Sequence, residues 1–491
     1  MNKRPNIILI MTDQQRFDTA KALGNDLYIT PNLDRLANEG VVFENCFCSS
    51  PTCMPSRASL FNCKYPGRTG VFSNSDSWDT SWVSILADAG YHCVNVGKMH
   101  TYPYDVPCGF HQRYVVENKD RRCDRMGLDN QCGRFEDELD KYFAWAGMSK
   151  PDRKFFVENY PDFQDAVGCF KWPYEEKYHH DVFVGDMACR VIERKKTDEP
   201  LFLQIGFPGP HPPFDPPQRF IDMYDDVEFP GDIISAEEAE KQPKAQRMFR
   251  QRAHGRGMDG VIWPVDPTKE QIARMRKNYA ANVTMIDEKI GEIMDTLEKK
   301  GYLDDAIIIF TSDHGECLGD HRLFEKWCMY DCVTRIPAIM WSSKDRVPHG
   351  KRTDVLAQQF DLIHTLFDMI GLSLPDDCQS ISLGDLSGEI VGRDCVYAEH
   401  AKDHVMRGCE FMTMARTDRY KLVHYQNEES ENELYDLQAD PEERVNCYHD
   451  PAYSDVRNQM IMKMLNFKCM HHYGVPEIYK ECLANEPPVK L

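Results

Sequence analysis

Short apolar runs alternate with longer segments of helical periodicity in the part of the chain before Gly371. Each of these runs predicts a β-strand, and they are Asn6–Met11, Tyr91–Val96, Leu201–Gly206, Ala306–Thr311 and Ile336–Trp341. From Lys269 to Lys300, apolar residues recur at steps of three and four, which predicts one long helix with an apolar face. Gly301 follows this segment at the place where a helix C-cap is expected. Strands that alternate with helices favour an α/β fold with a large, mostly parallel sheet flanked by helices.

The pattern changes after Gly371. Phe411–Ala415 and Tyr420–Tyr425 flank a short polar segment and predict an antiparallel hairpin. We therefore expect a large α/β domain over residues 1–374 and a smaller α+β domain with an antiparallel sheet over residues 375–491.

Composition narrows the functional classes. Hydrophobic residues make up 42% of the 491 positions and charged residues 28%, which is typical of a globular protein. The formal net charge of −21 argues against binding to nucleic acid or to an anionic membrane surface, because both need basic surface. A small anionic substrate is still compatible with this net charge, because a few buried cations can form a binding site for it.

The cysteines and the N-terminal residues predict a cytoplasmic protein. The 19 cysteines are scattered, without the Cys-x-x-Cys pairs of zinc ribbons. The apolar run Asn6–Met11 is shorter than the core of a secretory signal and reads as a first strand. We therefore expect reduced, buried cysteines in a reducing compartment.

Residues of types that commonly bind metal ions follow two of the predicted strands. Asp13 and Gln14 come after Asn6–Met11, and Asp313 and His314 come after the strand that begins at Ala306. Because the carboxyl ends of parallel strands meet at one edge of a sheet, we expect these four side chains to lie together. Their oxygens favour a hard divalent cation such as Ca²⁺ or Mg²⁺. Either pair alone is also typical of turn or helix-cap residues.

The segment Ser50–Leu60 contains Cys53-x-Pro-Ser-Arg57, followed by Ala, Ser and Leu. Read locally, it is a loop cysteine before a helix, with Pro55 near the first helical position. It also resembles the maturation motif of the type I sulfatases, which belong to the alkaline phosphatase superfamily. The resemblance implies that Cys53 is oxidised to Cα-formylglycine, whose hydrated aldehyde is the nucleophile. The N–H groups and positive dipole at a helix start favour an anion there.

Further positions match the same family in the expected order. They are Lys98 and His100 in Gly97-Lys98-Met99-His100, His211 within the Pro-rich segment Phe207–Pro213, Lys326, and the closing segment that begins at Glu433. The Pro-rich segment itself predicts a loop. The resemblance thus spans nearly the whole chain, and it implies an alkaline-phosphatase-like fold and hydrolysis of sulfate monoesters.

The resemblance also implies a role for each residue. The metal is bound by Asp13, Gln14, Asp313 and His314, with Ca²⁺ expected and Mg²⁺ or Mn²⁺ as options. Arg57 holds the diol, Lys98 and Lys326 clamp sulfate oxygens, His211 serves the leaving group, and His100 deprotonates the diol to expel sulfate. The implied partners are a small sulfated substrate and a sulfatase-maturating enzyme.

Alternatives stay open at this stage. Gln14 and His314 stand where many sulfatases have Asp and Asn, and the same pair occurs in phosphonate monoester and phosphodiester hydrolases. Lys98 and His100 favour the sulfatase.

An alternative of another class is a non-catalytic pseudoenzyme that binds sulfated glycans. For a sulfatase we expect exo-desulfation of a small carbohydrate, with choline sulfate or an aryl sulfate as competitors. The charged segment 237–260 predicts either a contact with the substrate or a solvated surface helix.

Overall fold

The structure is a computed structural model, and it describes residues 4–470 apart from 75, 118–135, 197, 232–233, 254–256, 259–260, 265, 345 and 404. The strands of the described part are β1 (Asn6–Asp13), β2 (Val41–Phe47), β3 (His92–Gly97), β4 (Gln112–Val115), β5 (Leu201–Pro210), β6 (Gly257–Met258), β7 (Val261–Ile262), β8 (Ala306–Ser312), β9 (Arg335–Ile336), β10 (Ala338–Ser342), β11 (Lys351–Gln358), β12 (Val396–Ala401), β13 (Phe411–Arg416), β14 (Tyr420–Tyr425) and β15 (Glu433–Asp436).

The α-helices of the same part are α1 (Pro31–Glu39), α2 (Cys53–Asn62), α3 (Pro66–Thr69), α4 (Val83–Asp88), α5 (Glu138–Trp145), α6 (Arg153–Asn159), α7 (His180–Arg194), α8 (Gln218–Asp222), α9 (Ala236–Glu240), α10 (Lys244–Ala253), α11 (Lys269–Lys299), α12 (Asp331–Thr334), α13 (Asp361–Met369) and α14 (Ser454–Lys468). Within the described residues, no helix has both the length and the apolar character that a membrane crossing requires.

One large sheet organises the fold, in the strand order β11-β2-β10-β8-β1-β5-β3-β4, with β9 added against β2. The central strand β1 is parallel to both of its neighbours, β8 and β5. β10 runs antiparallel to β8 and β2, so the sheet is mixed but mostly parallel, as the alternation of strands and helices predicted. Parallel strands place their carboxyl ends at one edge, and this edge carries the site.

Strand β1 is buried on both faces, which explains its continuous apolar run. Ile7, Leu9 and Met11 pack into a core shared with α2, α4 and α13. Ile8 and Ile10 point the other way, into a core shared with α1, α7 and α11. The alternation of side chains along a strand therefore ties β1 to helices on both sides of the sheet.

The long helix α11 confirms the periodicity seen in the sequence. Thr268 caps its first turn, and its side chain accepts a hydrogen bond from the backbone N–H of Gln271. After the last turn, Gly301 adopts a left-handed conformation with φ +68°. Its N–H bonds to the Glu298 carbonyl and that of Tyr302 to the Leu297 carbonyl, a pattern that closes a helix C-terminus.

Two predicted boundaries were wrong, both at prolines. The Pro-rich segment does not begin as a loop, because β5 continues through Pro208 to Pro210. It pairs there with β1 across an irregularity between Met11 and Asp13, a place where a strand tolerates missing N–H donors. The run expected as one strand at 336–341 is split into β9 and β10, because Pro337 cannot donate to the sheet.

A small antiparallel sheet, β12-β13-β14-β15, follows in the C-terminal part and contains the predicted hairpin. Helix α14 covers it through Met460 and Met464, which pack against Leu422 and Leu434. The domain boundary at residues 374/375 stays a prediction. All of the cysteines that the structure describes are free thiols, and most of them are buried.

Because the apolar face of α11 is buried, we expect the truncation of one of its side chains to lower the stability of the fold strongly. Ile290 is fully buried against the sheet, and Ile290→Ala should lower the free energy of unfolding by about 2–5 kcal/mol. The control Glu298→Ala changes an exposed residue of the same helix and should alter it by no more than about 0.5 kcal/mol. Denaturant unfolding followed by circular dichroism measures both, and equal effects of the two changes would contradict this packing.

Candidate active site

The carboxyl ends of β1 and β8 bring two acidic segments together. The strands pair in parallel up to Thr12 opposite Ser312, so the residues that follow leave the sheet side by side. Gln14 turns the chain with φ +68°, and its backbone N–H donates to Asp313 Oδ1 at 2.9 Å. The juxtaposition expected from the sequence is therefore present, and the Asp13 and Asp313 side chains are fully buried.

Cys53 lies at the centre of this group. It is the first residue of α2, preceded by Thr52 in an extended conformation. Its Sγ lies 3.0 Å from Lys326 Nζ, 3.2 Å from His314 Nε2 and 3.7 Å from Asp13 Oδ1. One ligand atom from each of Asp13, Cys53, Asp313 and His314 lies within 4.8 Å of the others. Cys53 is thus next to the residues that could bind a metal.

Two cations fix the carboxylates. Arg57, one turn along α2 from Cys53, donates to Asp313 Oδ2 at 2.7 Å and to Asp13 Oδ2 at 3.2 Å. Its Nη1 donates to the Lys98 carbonyl at 2.9 Å, and Lys98 Nζ lies 2.7 Å from Asp13 Oδ2. The guanidinium therefore braces both carboxylates, and its role toward a diol stays a prediction.

The amide of Gln14 is oriented by its neighbours. Its Nε2 donates to Glu316, while its Oε1 accepts from Lys326 Nζ at 2.6 Å. Glu316 also accepts the backbone N–H of Glu325, the residue before Lys326. Because Glu316 accepts the amide hydrogen, the amide oxygen faces the cluster. The sequence places Glu316 in the same run as His314, but the motif alone suggested no role for it.

His314 is also oriented as a metal ligand requires. Its Nδ1 lies 2.8 Å from the Gly315 carbonyl, so Nδ1 carries the ring proton and the Nε2 lone pair faces Cys53. Burial lowers its pKa to about 4, which keeps the imidazole neutral. Two carboxylates, an amide oxygen and a neutral imidazole form a donor set that fits one divalent cation.

His100 and His211 border the group. The backbone N–H of His100 donates to Glu117, and its carbonyl accepts from Trp78 Nε1 at 2.9 Å. His211 Nδ1 lies 2.7 Å from the Pro212 carbonyl. Sequence reasoning missed Glu117 and Trp78, because each is about twenty positions from His100 and belongs to no motif.

Burial and charge set the protonation states. Burial raises the pKa of the Asp13 carboxyl, but Lys98 and the other nearby cations hold it well below its usual range. Burial lowers the pKa of His100 and of His211, and neighbouring lysines lower both further. Burial and Asp13 raise the pKa of the Cys53 thiol to about 11. At neutral pH the site thus contains an ionised carboxylate, neutral imidazoles and an un-ionised thiol.

Helix α10, in the charged segment 237–260, packs next to the residue that follows Lys326. Phe249 of α10 lies against the Trp327 ring, with 5.6 Å between centroids. Two basic side chains of α10 pair with acidic residues of the same chain: Lys244 contacts Glu428, and Arg247 lies 3.7 Å from Glu431. Arg256, another basic residue of this segment, lies outside the described residues. A contact with substrate stays a prediction.

Comparison with known proteins agrees with this geometry. The profile of the family described as Sulfatase matches residues 5–372, and that of the N-sulphoglucosamine sulphohydrolase C-terminal family matches residues 319–469. The chain is 30% identical to an arylsulfatase of Clostridium perfringens over 472 residues, covering 92% of each protein. It is 25% identical to an N-acetylglucosamine-6-O-sulfatase of Bacteroides thetaiotaomicron, over 94% of this chain and 85% of that protein.

Among solved structures, the fold is similar to that of the phosphonate monoester hydrolase of Agrobacterium radiobacter. The TM-score is 0.76 at 23% identity, and the alignment covers 95% of this chain and 96% of that one. This likeness confirms the alkaline-phosphatase-like architecture. With the family profile covering most of the chain, the conclusion is that the protein belongs to the sulfatase family and hydrolyses a sulfuric ester.

Proposed function

We propose that this protein is a formylglycine-dependent, metal-dependent sulfatase that removes sulfate from a small carbohydrate. The observation that carries the proposal is the position of Cys53. It begins a helix, it is buried, and its Sγ lies within 3.2 Å of both the Lys326 ammonium and the His314 imidazole. Nucleophile position, metal ligands and anion-binding cations thus occupy one site.

The encoded cysteine is a poor nucleophile in this setting. Its thiol has a pKa of about 11, because burial and the nearby Asp13 carboxylate disfavour the thiolate. A hydrated formylglycine at this position would supply one hydroxyl to attack sulfur and displace the alcohol, and a second hydroxyl whose deprotonation would expel sulfate and restore the aldehyde. The helix N-terminus and the Lys326 ammonium favour negative charge at this position. These features support conversion of Cys53 by a sulfatase-maturating enzyme.

The metal ligands would be Asp13, Gln14, Asp313 and His314. The mainly oxygen donor set favours Ca²⁺, with Mg²⁺ or Mn²⁺ as options. A divalent ion bound there supplies positive charge that lowers the pKa of a nucleophilic hydroxyl and offsets charge on the sulfate. Arg57 holds both carboxylates in place for this role.

The remaining cations and imidazoles complete the site. Lys98 and Lys326 would bind sulfate oxygens, where negative charge persists through the transition state. His211 is assigned to the leaving group. Its Nδ1 bonds to the Pro212 carbonyl, so donation of a proton to the leaving-group oxygen from Nε2 would require the protonated imidazole. His100 is assigned the deprotonation of the second hydroxyl, and its lowered pKa suits a base that is neutral before it acts.

The carbohydrate assignment rests on two observations. A relative similar along most of its length is an N-acetylglucosamine-6-O-sulfatase. The net charge of −21 disfavours a long polyanion, although physiological salt confines that repulsion to about 8 Å. Both favour exo-desulfation of a mono- or disaccharide. A cytoplasmic location would fit such a substrate and stays a prediction.

The first prediction concerns maturation. Co-expression with a sulfatase-maturating enzyme should convert Cys53, and mass spectrometry of the peptide should show loss of the thiol and reaction with a hydrazide. Cys53→Ala should remain unmodified and inactive, while Cys447→Ala, at a half-buried cysteine far along the chain, should leave conversion intact. An unmodified thiol in fully active protein would disprove the proposed nucleophile.

The second prediction separates a sulfatase from a phosphonate or phosphodiester hydrolase. Matured enzyme should have a higher kcat/KM for an aryl sulfate than for a phenyl phosphonate ester. Lys98→Ala should raise the barrier for the sulfate by about 2.7–4 kcal/mol, as expected for loss of one preorganised electrostatic group. The control Lys344→Ala changes an exposed lysine and should leave kcat/KM unchanged. A preference for the phosphonate would favour the alternative.

The third prediction concerns the substrate. Sulfate release from a panel of sulfated monosaccharides, sulfated disaccharides and choline sulfate should be fastest with a sugar. Rapid turnover of choline sulfate together with no turnover of any sugar would overturn the carbohydrate assignment while leaving the sulfatase assignment intact. Binding of sulfated sugars by matured protein without any sulfate release would favour the pseudoenzyme.

A further inference from the structure

A second cluster of metal-ligating side chains lies behind the segment that carries His211. It consists of His179 and His180, at the start of α7, and Asp215, which follows His211 by four positions. One ligand atom from each of the three lies within 4.8 Å of the other two. All three residues are buried, with exposed fractions of 0%, 0% and 1%.

The spacing of these atoms is close to that of ligands around one ion. Asp215 Oδ1 lies 3.7 Å from His179 Nε2 and 3.7 Å from His180 Nε2. Bonds of ~2.0–2.2 Å in a tetrahedral site place neighbouring ligand atoms ~3.3–3.6 Å apart. The separation of each imidazole nitrogen from the carboxylate oxygen therefore exceeds that range by only a few tenths of an ångström at most, and the three ligand atoms together lie within 4.8 Å of one another.

A buried polar atom points into this cluster. His179 Nε2 has no hydrogen-bond partner among the described residues, although its ring is fully buried and faces Asp215. A buried polar nitrogen left without a partner is costly, and such atoms are rare in native proteins. A bound cation would satisfy it.

We propose that His179, His180 and Asp215 bind a divalent transition-metal ion of the zinc class, separate from the catalytic metal. Imidazole nitrogens together with one carboxylate suit zinc and its neighbours in the first transition row. The catalytic group, with two carboxylates and an amide, suits a hard ion such as Ca²⁺. The two sites therefore differ in the metal that they select.

Asp181 would serve as the outer partner of this site. In the structure, the Asp181 backbone N–H donates to His179 Nδ1 at 3.2 Å. A metal on Nε2 requires the ring proton on Nδ1, so this contact would give way. Asp181 Oδ2, 3.9 Å from His179 Nδ1, is placed to accept that proton, which is the usual arrangement around a metal-bound histidine.

The ion would tie the start of α7 to the segment that presents His211. Asp181 Oδ1 already accepts the backbone N–H of Gly209 at 2.7 Å, two residues before His211. On the other side, Phe214 exchanges backbone hydrogen bonds with Gly168 and Phe170, which holds the chain next to Asp215. A metal at this point would make His211 part of a rigid frame.

Metal analysis of the purified full-length protein tests the proposal without any assay of activity. Inductively coupled plasma mass spectrometry should find about one transition-metal ion per chain. His180→Asn and Asp215→Asn should lower that content at least about fivefold and leave calcium unchanged, because they remove single ligands of this site alone. The control His349→Asn changes an exposed histidine and should retain the metal.

Zinc titration of chelator-treated protein gives a second readout. Zinc should raise the thermal midpoint of the wild type and of His349→Asn but not of Asp215→Asn, since only a ligand bound by the folded state stabilises it. Asp313→Asn, which removes a ligand of the catalytic metal, should still bind zinc. Loss of zinc in Asp313→Asn would assign the ion to the catalytic site and overturn the proposal.

The wild type alone decides the question if the variants fail to fold. A zinc-edge absorption spectrum of the loaded protein should show imidazole nitrogen in the first coordination shell. Wild-type protein that contains no transition metal, and whose thermal midpoint zinc does not shift, would disprove the site.

Discussion

The structure depends on the neutralisation of two buried carboxylates at the carboxyl edge of the central strands. Asp13 and Asp313 are fully buried, and charge in such a place is tolerated only when it is paired and hydrogen-bonded. Arg57 and Lys98 provide that pairing from two other elements. The requirement therefore couples β1, β8, α2 and the segment after β3 into one unit, and it also places Cys53 beside cations.

The same arrangement reconciles an acidic protein with an anionic substrate. The chain has a net charge of −21, whereas three buried cations, Arg57, Lys98 and Lys326, surround Cys53 and the two carboxylates Asp13 and Asp313. Salt screens surface charge beyond about 8 Å, but it screens buried groups much less. Local charge therefore governs binding of a small anion, and the surface charge matters for a long polyanion.

Local signals explain which features the sequence could predict. The buried run of β1, the periodicity of α11 and the ordered motifs around Cys53 and Lys98 are all read from neighbouring residues, and the structure places them as expected. The antiparallel direction of β10 and the extension of β5 into its prolines depend on pairing between distant strands. Glu117 also escaped prediction, because its link to His100 is a tertiary contact without a motif.

The fold does not choose between a sulfate and a phosphonate ester, since a phosphonate monoester hydrolase has the same architecture. Both esters carry one negative charge, so charge alone does not distinguish them. They differ in shape, because a sulfate monoester presents three non-bridging oxygens, whereas a phosphonate monoester presents two oxygens and a carbon. If Lys98, Lys326 and a divalent ion bind the sulfate as proposed, each of its three oxygens would have one partner. A carbon in that place would remove one of these contacts, and a site built to bind a polar group of its substrate discriminates against an analogue that lacks the group.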